Sequence, residues 1–199
     1  MKQFPSLPDN HQLDAVFKRF PQTAAPLLEY LDRVMRDPSP LTVAERELIA
    51  AYVSGLNACT YCHGAHVLAA SAFGIDEALF EGLMSDLATS AIDEKLKPIL
   101  AYVGKLTLTP SRLTGGDAQA VYDAGWDEQA LFDAISVGAL FNLMNRIVEG
   151  TGTRLDPLDM PDTDKAARKA RLSGVIDRSD PYRAERSYSK LVQTWGIPL

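Results

Sequence analysis

Cysteine is scarce in this sequence, and the two that it has, Cys59 and Cys62, stand three positions apart. In a reducing compartment, a pair at this spacing is more often catalytic or metal-binding than a structural staple. The pair is therefore the first place to look for chemistry.

The chain also lacks an excess of positive charge and a long apolar run. Its 20 basic residues against 26 acidic ones give a net charge of −6, which offers no general reason to expect nucleic-acid binding. No stretch approaches the roughly 20 apolar residues that a transmembrane helix needs, and the N-terminal segment has no apolar run of the kind a secretory signal carries. We therefore expect a cytoplasmic protein without a nucleic-acid or membrane partner.

Strand-like alternation is absent too, whereas Ala, Leu and Glu are abundant and 46% of the 199 residues are apolar. One all-α domain with short connections follows. We predict that a Thr42–Glu45 capping box opens one helix, that Asn57 caps the next, and that Gly74, Gly125 and Gly150 end helices. The predicted helices span about 24–36, 42–55, 57–73, 76–87, 93–106, 117–124 and 127–149.

The last part of the chain differs from the rest, because apolar periodicity weakens after residue 150 and basic residues become frequent. We predict a helical domain over residues 1–150, with its active-site segment at 42–74. The remainder, 151–199, is predicted to be an extended C-terminal arm that packs on its own or a neighbouring subunit. Binding of an anionic partner is the alternative for this arm.

The two cysteines share a helix face with a histidine. On a helix, Cys59, Cys62 and His66 are spaced i, i+3, i+7, which brings two thiols and an imidazole together and predicts thiol redox chemistry. The position of Cys59 near a helix N-terminus favours it as the more acidic thiol. Glu47 lies on the preceding helix, and if the chain folds back after that helix, Glu47 could orient His66 or pass protons through a water.

Glu47 stands twelve residues before the CxxC, and His66 stands four after it. This segment resembles the active-site signature of the alkyl hydroperoxidase D-like proteins, in the peroxidase-related branch of the carboxymuconolactone decarboxylase superfamily. The resemblance extends over roughly residues 20–150. It implies a compact all-α multi-helix bundle, a homo-oligomer (often a trimer or hexamer) and peroxide reduction through a cysteine pair.

The resemblance also implies roles for single residues. Cys62 matches the cysteine that attacks the peroxide, Cys59 matches the one that resolves the sulfenic acid to a disulfide, and His66 and Glu47 match the proton relay. It implies neither a cofactor nor a metal, and the reductant would be an unidentified thiol or lipoyl-type partner. The sequence departs from the family at Tyr61, where well-studied members carry a second histidine. His63 follows Cys62 but points about 100° away from it on a helix.

Other readings of the motif remain open. The pair could serve a dithiol–disulfide oxidoreductase acting on a protein or lipoyl partner. It could also serve a metal-binding module, although Cys59, Cys62 and His66 fall short of the four ligands of a closed zinc site. A decarboxylase-type lactone enzyme or a non-catalytic scaffold would not need the CxxC. Asn142, Asn145 and Arg146 could line a pocket or an interface, or be satisfied core polar groups.

Overall fold

The computed structural model describes residues 3–154 and 162–198 of the chain, and residues 155–161 of the predicted arm lie outside that range. Within the described residues the fold is all-helical, and a single isolated β-bridge joins Ile176 to Ala184. The helices are α1 (Leu13–Arg19), α2 (Ala24–Arg36), α3 (Val43–Leu56), α4 (Thr60–Ala72), α5 (Leu79–Ser85), α6 (Lys97–Leu108), α7 (Gly115–Asp123), α8 (Glu128–Thr151), α9 (Asp162–Ser173) and α10 (Leu191–Thr194), with 3₁₀ turns at Pro21–Thr23 and Pro110–Arg112.

Helix α3 lies at the centre of the molecule. All of its residues from 46 to 54 are buried, and it packs against α4, α6 and α8. A helix that is buried on every side is expected to be apolar all round. Two charged residues, Arg46 and Glu47, nevertheless lie inside it, and each must find partners there.

Several local predictions are confirmed. Helix α2 has the predicted bounds, Ala24–Arg36. Helix α3 opens with the predicted capping box, in which Thr42 Oγ1 accepts a hydrogen bond from Glu45 N (3.2 Å) and Glu45 Oε2 accepts one from Thr42 N (2.7 Å). Both patterns depend on neighbours within four residues, so the sequence alone could specify them.

The predicted N-cap Asn57 is wrong. Asn57 ends α3 as its C-cap, and the N-cap of α4 is Cys59. The turn between them is a Schellman motif, in which Cys59 N donates to Ser54 O (3.0 Å) and Ala58 N donates to Gly55 O (2.9 Å). Ala58 adopts the left-handed conformation (φ 54°) that usually belongs to glycine, and this turn folds α4 back onto α3.

Other helix limits also differ from prediction. Gly150 does not end α8, because the helix continues to Thr151 and Gly152 takes the left-handed C-terminal position (φ 77°). Helices α5 and α6 begin later than predicted, at Leu79 and Lys97. A turn stabilised by an aspartate precedes each of them, and in the first turn Asp76 Oδ1 accepts a hydrogen bond from Ala78 N at 3.0 Å.

In the second of these turns, Asp93 Oδ1 accepts a hydrogen bond from Lys95 N at 2.9 Å. Side chains of this type stabilise a turn before the first helical residue, which delays the start of the helix.

Helix α8 is long and apolar enough to cross a membrane, judged by length and composition alone, with a mean hydropathy of 1.3 over its most apolar window. Half of that window is buried inside the fold, where α8 packs against α3 and α6. The core helix of a folded domain has the same properties, and α8 occupies such a position in this fold.

The described part of the C-terminal arm packs on its own chain. Helix α9 lies against α4, where Ser173 Oγ donates to Ala72 O (3.2 Å). Further along, Val43 N donates to Pro181 O (3.0 Å) and Arg46 Nη2 donates to Tyr182 O (2.9 Å). These contacts bring the arm across the N-terminal end of α3, close to the buried charges of that helix.

Candidate active site

The two cysteines lie together at the start of α4. Cys59 is the N-cap residue and is fully buried, Cys62 is 5% exposed, and both are free thiols. The Cys62 side chain is within hydrogen-bonding reach of the Cys59 sulfur, and the Cys62 backbone N–H points at the same sulfur. The sequence-predicted juxtaposition of the two thiols is therefore present in the structure.

The surroundings of the pair shift the pKa values of its two thiols in opposite directions. The hydrogen bond from the Cys62 thiol lowers the pKa of Cys59 below its ordinary value, although burial opposes this. The same hydrogen bond raises the pKa of Cys62, and burial raises it further. Cys59 is therefore the more acidic thiol of the reduced pair, in line with its position at the helix N-terminus.

His66 is held by Glu47. The two side chains meet at 2.6 Å between Nδ1 and Oε2, and the ring of Phe141 packs edge-on against the imidazole at 4.3 Å between centroids. Burial alone would raise the pKa of Glu47, but Arg36 and His66 outweigh it and bring that pKa to about 2. An ionised carboxylate only accepts hydrogen bonds, so Nδ1 carries the hydrogen and Nε2 is left to exchange a proton.

Arg36 provides the charge that keeps Glu47 ionised. Its Nη2 lies 2.6 Å from Glu47 Oε1, and both side chains are fully buried. The guanidinium contacts two aromatic rings, at 5.1 Å from the centroid of Phe73 and 4.9 Å from that of Tyr188. A buried carboxylate with a buried cationic partner is expected to stay charged, which suits Glu47 to orienting His66 rather than to carrying protons itself.

Polar residues of α8 complete the other side of the cysteine pair. The Asn145 amide donates to Ser54 Oγ (3.0 Å) and also reaches the Cys62 sulfur. Asn57 Nδ2 donates to Asn145 Oδ1 (2.9 Å) and to Asn142 Oδ1 (3.1 Å). Asn142 and Asn145 are thus hydrogen-bonded polar groups of α8, and Asn145 contacts one of the two cysteines, Cys62.

Glu149, which the sequence analysis did not single out, is a second carboxylate at the cysteines. It lies close enough to Cys59 to raise the pKa of that thiol, by charge and by hydrogen bonding, and it pairs with Arg154. Glu149 stands four residues after Asn145 on α8, so the two share a helix face. That spacing is the one signal in the sequence that could have linked it to the site.

Neither Tyr61 nor His63 takes the place of the second histidine that the family pattern has at position 61. His63 Nδ1 donates to the carbonyl of Ala51 (2.9 Å), and its ring packs against Phe80 at 6.2 Å between centroids. Tyr61 is directed towards α1, where it contacts the backbone of Leu13. The departure from the family pattern that the sequence shows at Tyr61 is therefore not compensated by His63.

No group of three or more His, Cys, Asp or Glu side chains in residues 3–154 and 162–198 is arranged to hold a metal ion. The alternative of a metal-binding module built on the CxxC has no ligand set in this part of the chain.

Residues 21–101, which include all four predicted site residues, match the model of the carboxymuconolactone decarboxylase family. Over this segment, which is less than half of the chain, the sequence is similar to that family. Two of the partners identified above, Glu149 and Tyr188, lie outside the matched region. No match to the chain was found among curated proteins.

Solved structures with a similar fold include two uncharacterized peroxidase-related proteins. An uncharacterized peroxidase-related protein from Silicibacter sp. TM1040 has a TM-score of 0.66 and 23% identity, covering 76% of this chain and 87% of its own. The alkylhydroperoxidase AhpD core of an uncharacterized peroxidase-related protein from Ralstonia eutropha JMP134 has a TM-score of 0.67 and 22% identity, covering 70% and 74%. At these identities they show the fold, and the expected alkyl hydroperoxidase D-like helical bundle is confirmed.

Proposed function

We propose that the protein is a cysteine-dependent hydroperoxide reductase that cycles through a Cys59–Cys62 disulfide. The observation that carries the proposal is the contact between two free, buried thiols at the N-terminus of α4. A histidine oriented by an ionised carboxylate lies on the same helix. The similarity of residues 21–101 to the carboxymuconolactone decarboxylase family and the peroxidase-related structures of similar fold support it.

The proposed reaction oxidises the thiol pair by two electrons. The proton of Cys62 passes to the Cys59 thiolate or to His66 Nε2, and the Cys62 thiolate attacks the distal peroxide oxygen. The O–O bond breaks, Cys62 becomes a sulfenic acid, and the released alkoxide takes a proton to leave as the alcohol. Cys59 then attacks the Cys62 sulfur, the disulfide forms, and hydroxide leaves as water after protonation. Two thiols and one hydroperoxide thus give one disulfide, one alcohol and one water.

Two arguments disagree about which cysteine attacks the peroxide. The resemblance assigns the attack to Cys62, and Cys62 is also the more exposed of the two residues, at 5% against 0%. The hydrogen bonding within the pair makes Cys59 the more acidic of the two thiols, because it lowers the pKa of Cys59 and raises that of Cys62. We assign the attack to Cys62 and give Cys59 two roles, first as acceptor of the Cys62 proton and then as the resolving thiol.

A dithiol–disulfide oxidoreductase acting on a protein is less well supported. A protein disulfide must bring one of its sulfurs into line with the attacking thiolate, and a fully buried Cys59 beside a nearly buried Cys62 offers little room for it. A small hydroperoxide makes no such demand. For the return step we propose a thiol or lipoyl-type reductant whose reactive sulfur sits at the end of a slender chain.

The experiment follows the reduced protein in a stopped-flow instrument while hydrogen peroxide or an organic hydroperoxide is added, and counts free thiols afterwards. One equivalent of hydroperoxide should remove both thiols. Two thiols that persist after prolonged exposure to either peroxide would refute the proposal.

Single cysteine variants test the order of attack. Cys62→Ser should abolish the reaction with peroxide, whereas Cys59→Ser should react once and stop at a sulfenic or over-oxidised Cys62. Mass spectrometry of the products identifies the oxidised sulfur. A reactive Cys62→Ser with an inert Cys59→Ser would reverse the two roles.

A further inference from the structure

We propose that the C-terminal arm is part of the redox site, and that Arg36 and Tyr188 are positioning residues that hold Glu47, and through it His66. The inference rests on the proposed function for its link to peroxide reduction. The arrangement itself, however, is a property of the folded chain and can be measured without any substrate.

A buried carboxylate of α2 holds the arm beside the site through hydrogen bonds. Asp32 is fully buried, and its two oxygens accept hydrogen bonds from three consecutive backbone N–H groups of the arm. The donors are Ser187 (2.9 Å), Tyr188 (2.9 Å) and Ser189 (2.7 Å). Three convergent backbone donors form an anion-binding concavity, and here the anion is a side chain of the same protein. This clamp fixes the backbone at Tyr188.

Tyr188 in turn covers the Arg36–Glu47 ion pair. Its ring lies over the Arg36 guanidinium at 4.9 Å, and the ring of Phe73 also contacts that guanidinium, at 5.1 Å. Its hydroxyl donates to Glu47 Oε1 at 3.4 Å and accepts from Arg36 Nη2 at 3.5 Å. These last two bonds are long, so the larger contribution of Tyr188 is to exclude water from the pair, which strengthens every charge interaction within it.

The arm thus stands at one end of a continuous chain of contacts. Tyr188 touches Arg36, Arg36 pairs with Glu47 at 2.6 Å, and Glu47 pairs with His66 Nδ1 at 2.6 Å. The charged and titratable groups around Glu47 are Arg36 and Asp32 on α2, Arg46 on α3, His66 on α4 and Tyr188 on the arm. The family match covers residues 21–101 and ends well before the arm, so the match alone would not have included this element in the site.

The test compares two tyrosines of the arm. Tyr188→Ala removes the cover of the ion pair, and Tyr182→Ala is the matched control, because the Tyr182 side chain is 42% exposed. Asp32→Asn is the second site variant, since it weakens the clamp and leaves the side chains of Arg36, Glu47 and His66 themselves unchanged. The first measurement is ¹⁵N NMR of the histidine rings, which reports the tautomer and hydrogen bonding of each imidazole.

The chain has three histidines, and one serves as an internal reference. His63 donates from Nδ1 to the backbone carbonyl of Ala51 and takes no part in the contacts between Tyr188, Arg36, Glu47 and His66, so its signals should stay constant in all variants. The signals of His66 should change in Tyr188→Ala and Asp32→Asn and remain those of the wild type in Tyr182→Ala.

The second measurement is the pH–rate profile of disulfide formation with hydrogen peroxide. Tyr188→Ala and Asp32→Asn should lower the rate at neutral pH by about tenfold and displace the profile along the pH axis. Such a loss is a part of the 10²–10⁴-fold that a positioned acid–base group typically contributes. Tyr182→Ala should keep both the rate and the profile.

Unchanged His66 signals in a folded Tyr188→Ala and a folded Asp32→Asn would overturn the inference. A change that appears equally in Tyr182→Ala would overturn it as well, because it would report a general loosening of the arm. Failure of the wild-type protein to react with peroxide would instead count against the proposed function, and the NMR comparison would still decide whether the arm holds His66.

Discussion

At the scale of single residues, the most informative one is Glu47, a charged side chain inside the most buried helix of the fold. Its two oxygens are taken by Arg36 and His66, and a buried carboxylate without such partners would be protonated or would destabilise the protein. The same contacts that orient the imidazole therefore contribute to stability, and the two effects can be measured separately.

Glu47→Gln should destabilise the protein by about 3–5 kcal/mol, because it leaves Arg36 buried without its carboxylate. The pKa of Glu47 is lowered to about 2 from an ordinary value of 4.5, so its contribution to stability is present above the unfolded-state pKa. That contribution is lost as the pH falls from about 4.5 towards 2. Denaturant unfolding at several pH values should show this acid loss in the wild type and a smaller one in the variant. Glu81→Gln, at an exposed position of α5, is the control and should keep the wild-type dependence.

Glu149 allows a prediction about the pKa of Cys59, since the negative charge of Glu149 disfavours the Cys59 thiolate. Glu149→Gln should lower the pKa of Cys59, because it removes the carboxylate that raises it. Arg154→Ala should raise that pKa, because it removes the cation paired with Glu149. Ultraviolet absorbance of the thiolate against pH measures both. A pKa that moves the same way in the two variants would contradict the assigned role of Glu149.

The residues of the site that sequence reasoning found are those close together along the chain. Cys59, Cys62 and His66 occupy one helix, and Glu47 lies on the helix before it, so spacing and a single chain reversal sufficed to group them. Tyr188 and Glu149 were missed because they reach the site through tertiary packing, and helical periodicity carries no information about such distant partners.

At the scale of elements, local signals placed the centres of helices better than their ends. The capping box of α3 was recognised because a Thr and a Glu three residues apart satisfy each other's backbone groups. Gly150 was wrongly taken as the end of α8, because a second glycine two residues later competes for the left-handed position and takes it. The sequence offered no means to choose between the two glycines.

The turn between α3 and α4 gives a prediction at this scale. Ala58 holds a left-handed conformation (φ 54°), which costs an L-residue about 1–2 kcal/mol and a glycine almost nothing. Ala58→Gly should therefore stabilise the protein by up to about 1 kcal/mol, after the larger entropy of the unfolded glycine is subtracted. Urea unfolding measures the change. Ala120→Gly, at an exposed position inside α7, is the control and should destabilise by about 0.5–1 kcal/mol. A destabilising Ala58→Gly would show that the turn is not strained.

At the scale of the whole molecule, the all-α architecture could be predicted because every segment long enough to matter carries a helical period and none carries a strand period. The course of the arm could not be predicted, because the apolar periodicity of this segment is weak and its position depends on specific contacts. Asp32, Arg46 and Glu29 accept or donate hydrogen bonds to arm residues more than 130 positions away. Contacts at that separation depend on the completed fold of the first 150 residues.

Assembly is the remaining property at this scale, and it leads to the last prediction. Phe132 and Leu143 on α8 are 63% and 47% exposed, and eleven residues, about three helical turns, place them on one face of that helix. Exposed large apolar side chains aligned in this way are typical of a surface that a neighbouring subunit covers. Because the family resemblance implies a homo-oligomer, we expect Phe132→Glu to produce a smaller species in sedimentation velocity experiments. Tyr30→Glu on α2, where the tyrosine is 47% exposed, should leave the assembly unchanged. A wild-type protein that sediments as a monomer at micromolar concentration would disprove the expected assembly, and equal dissociation by both variants would show that the α8 face is not the interface.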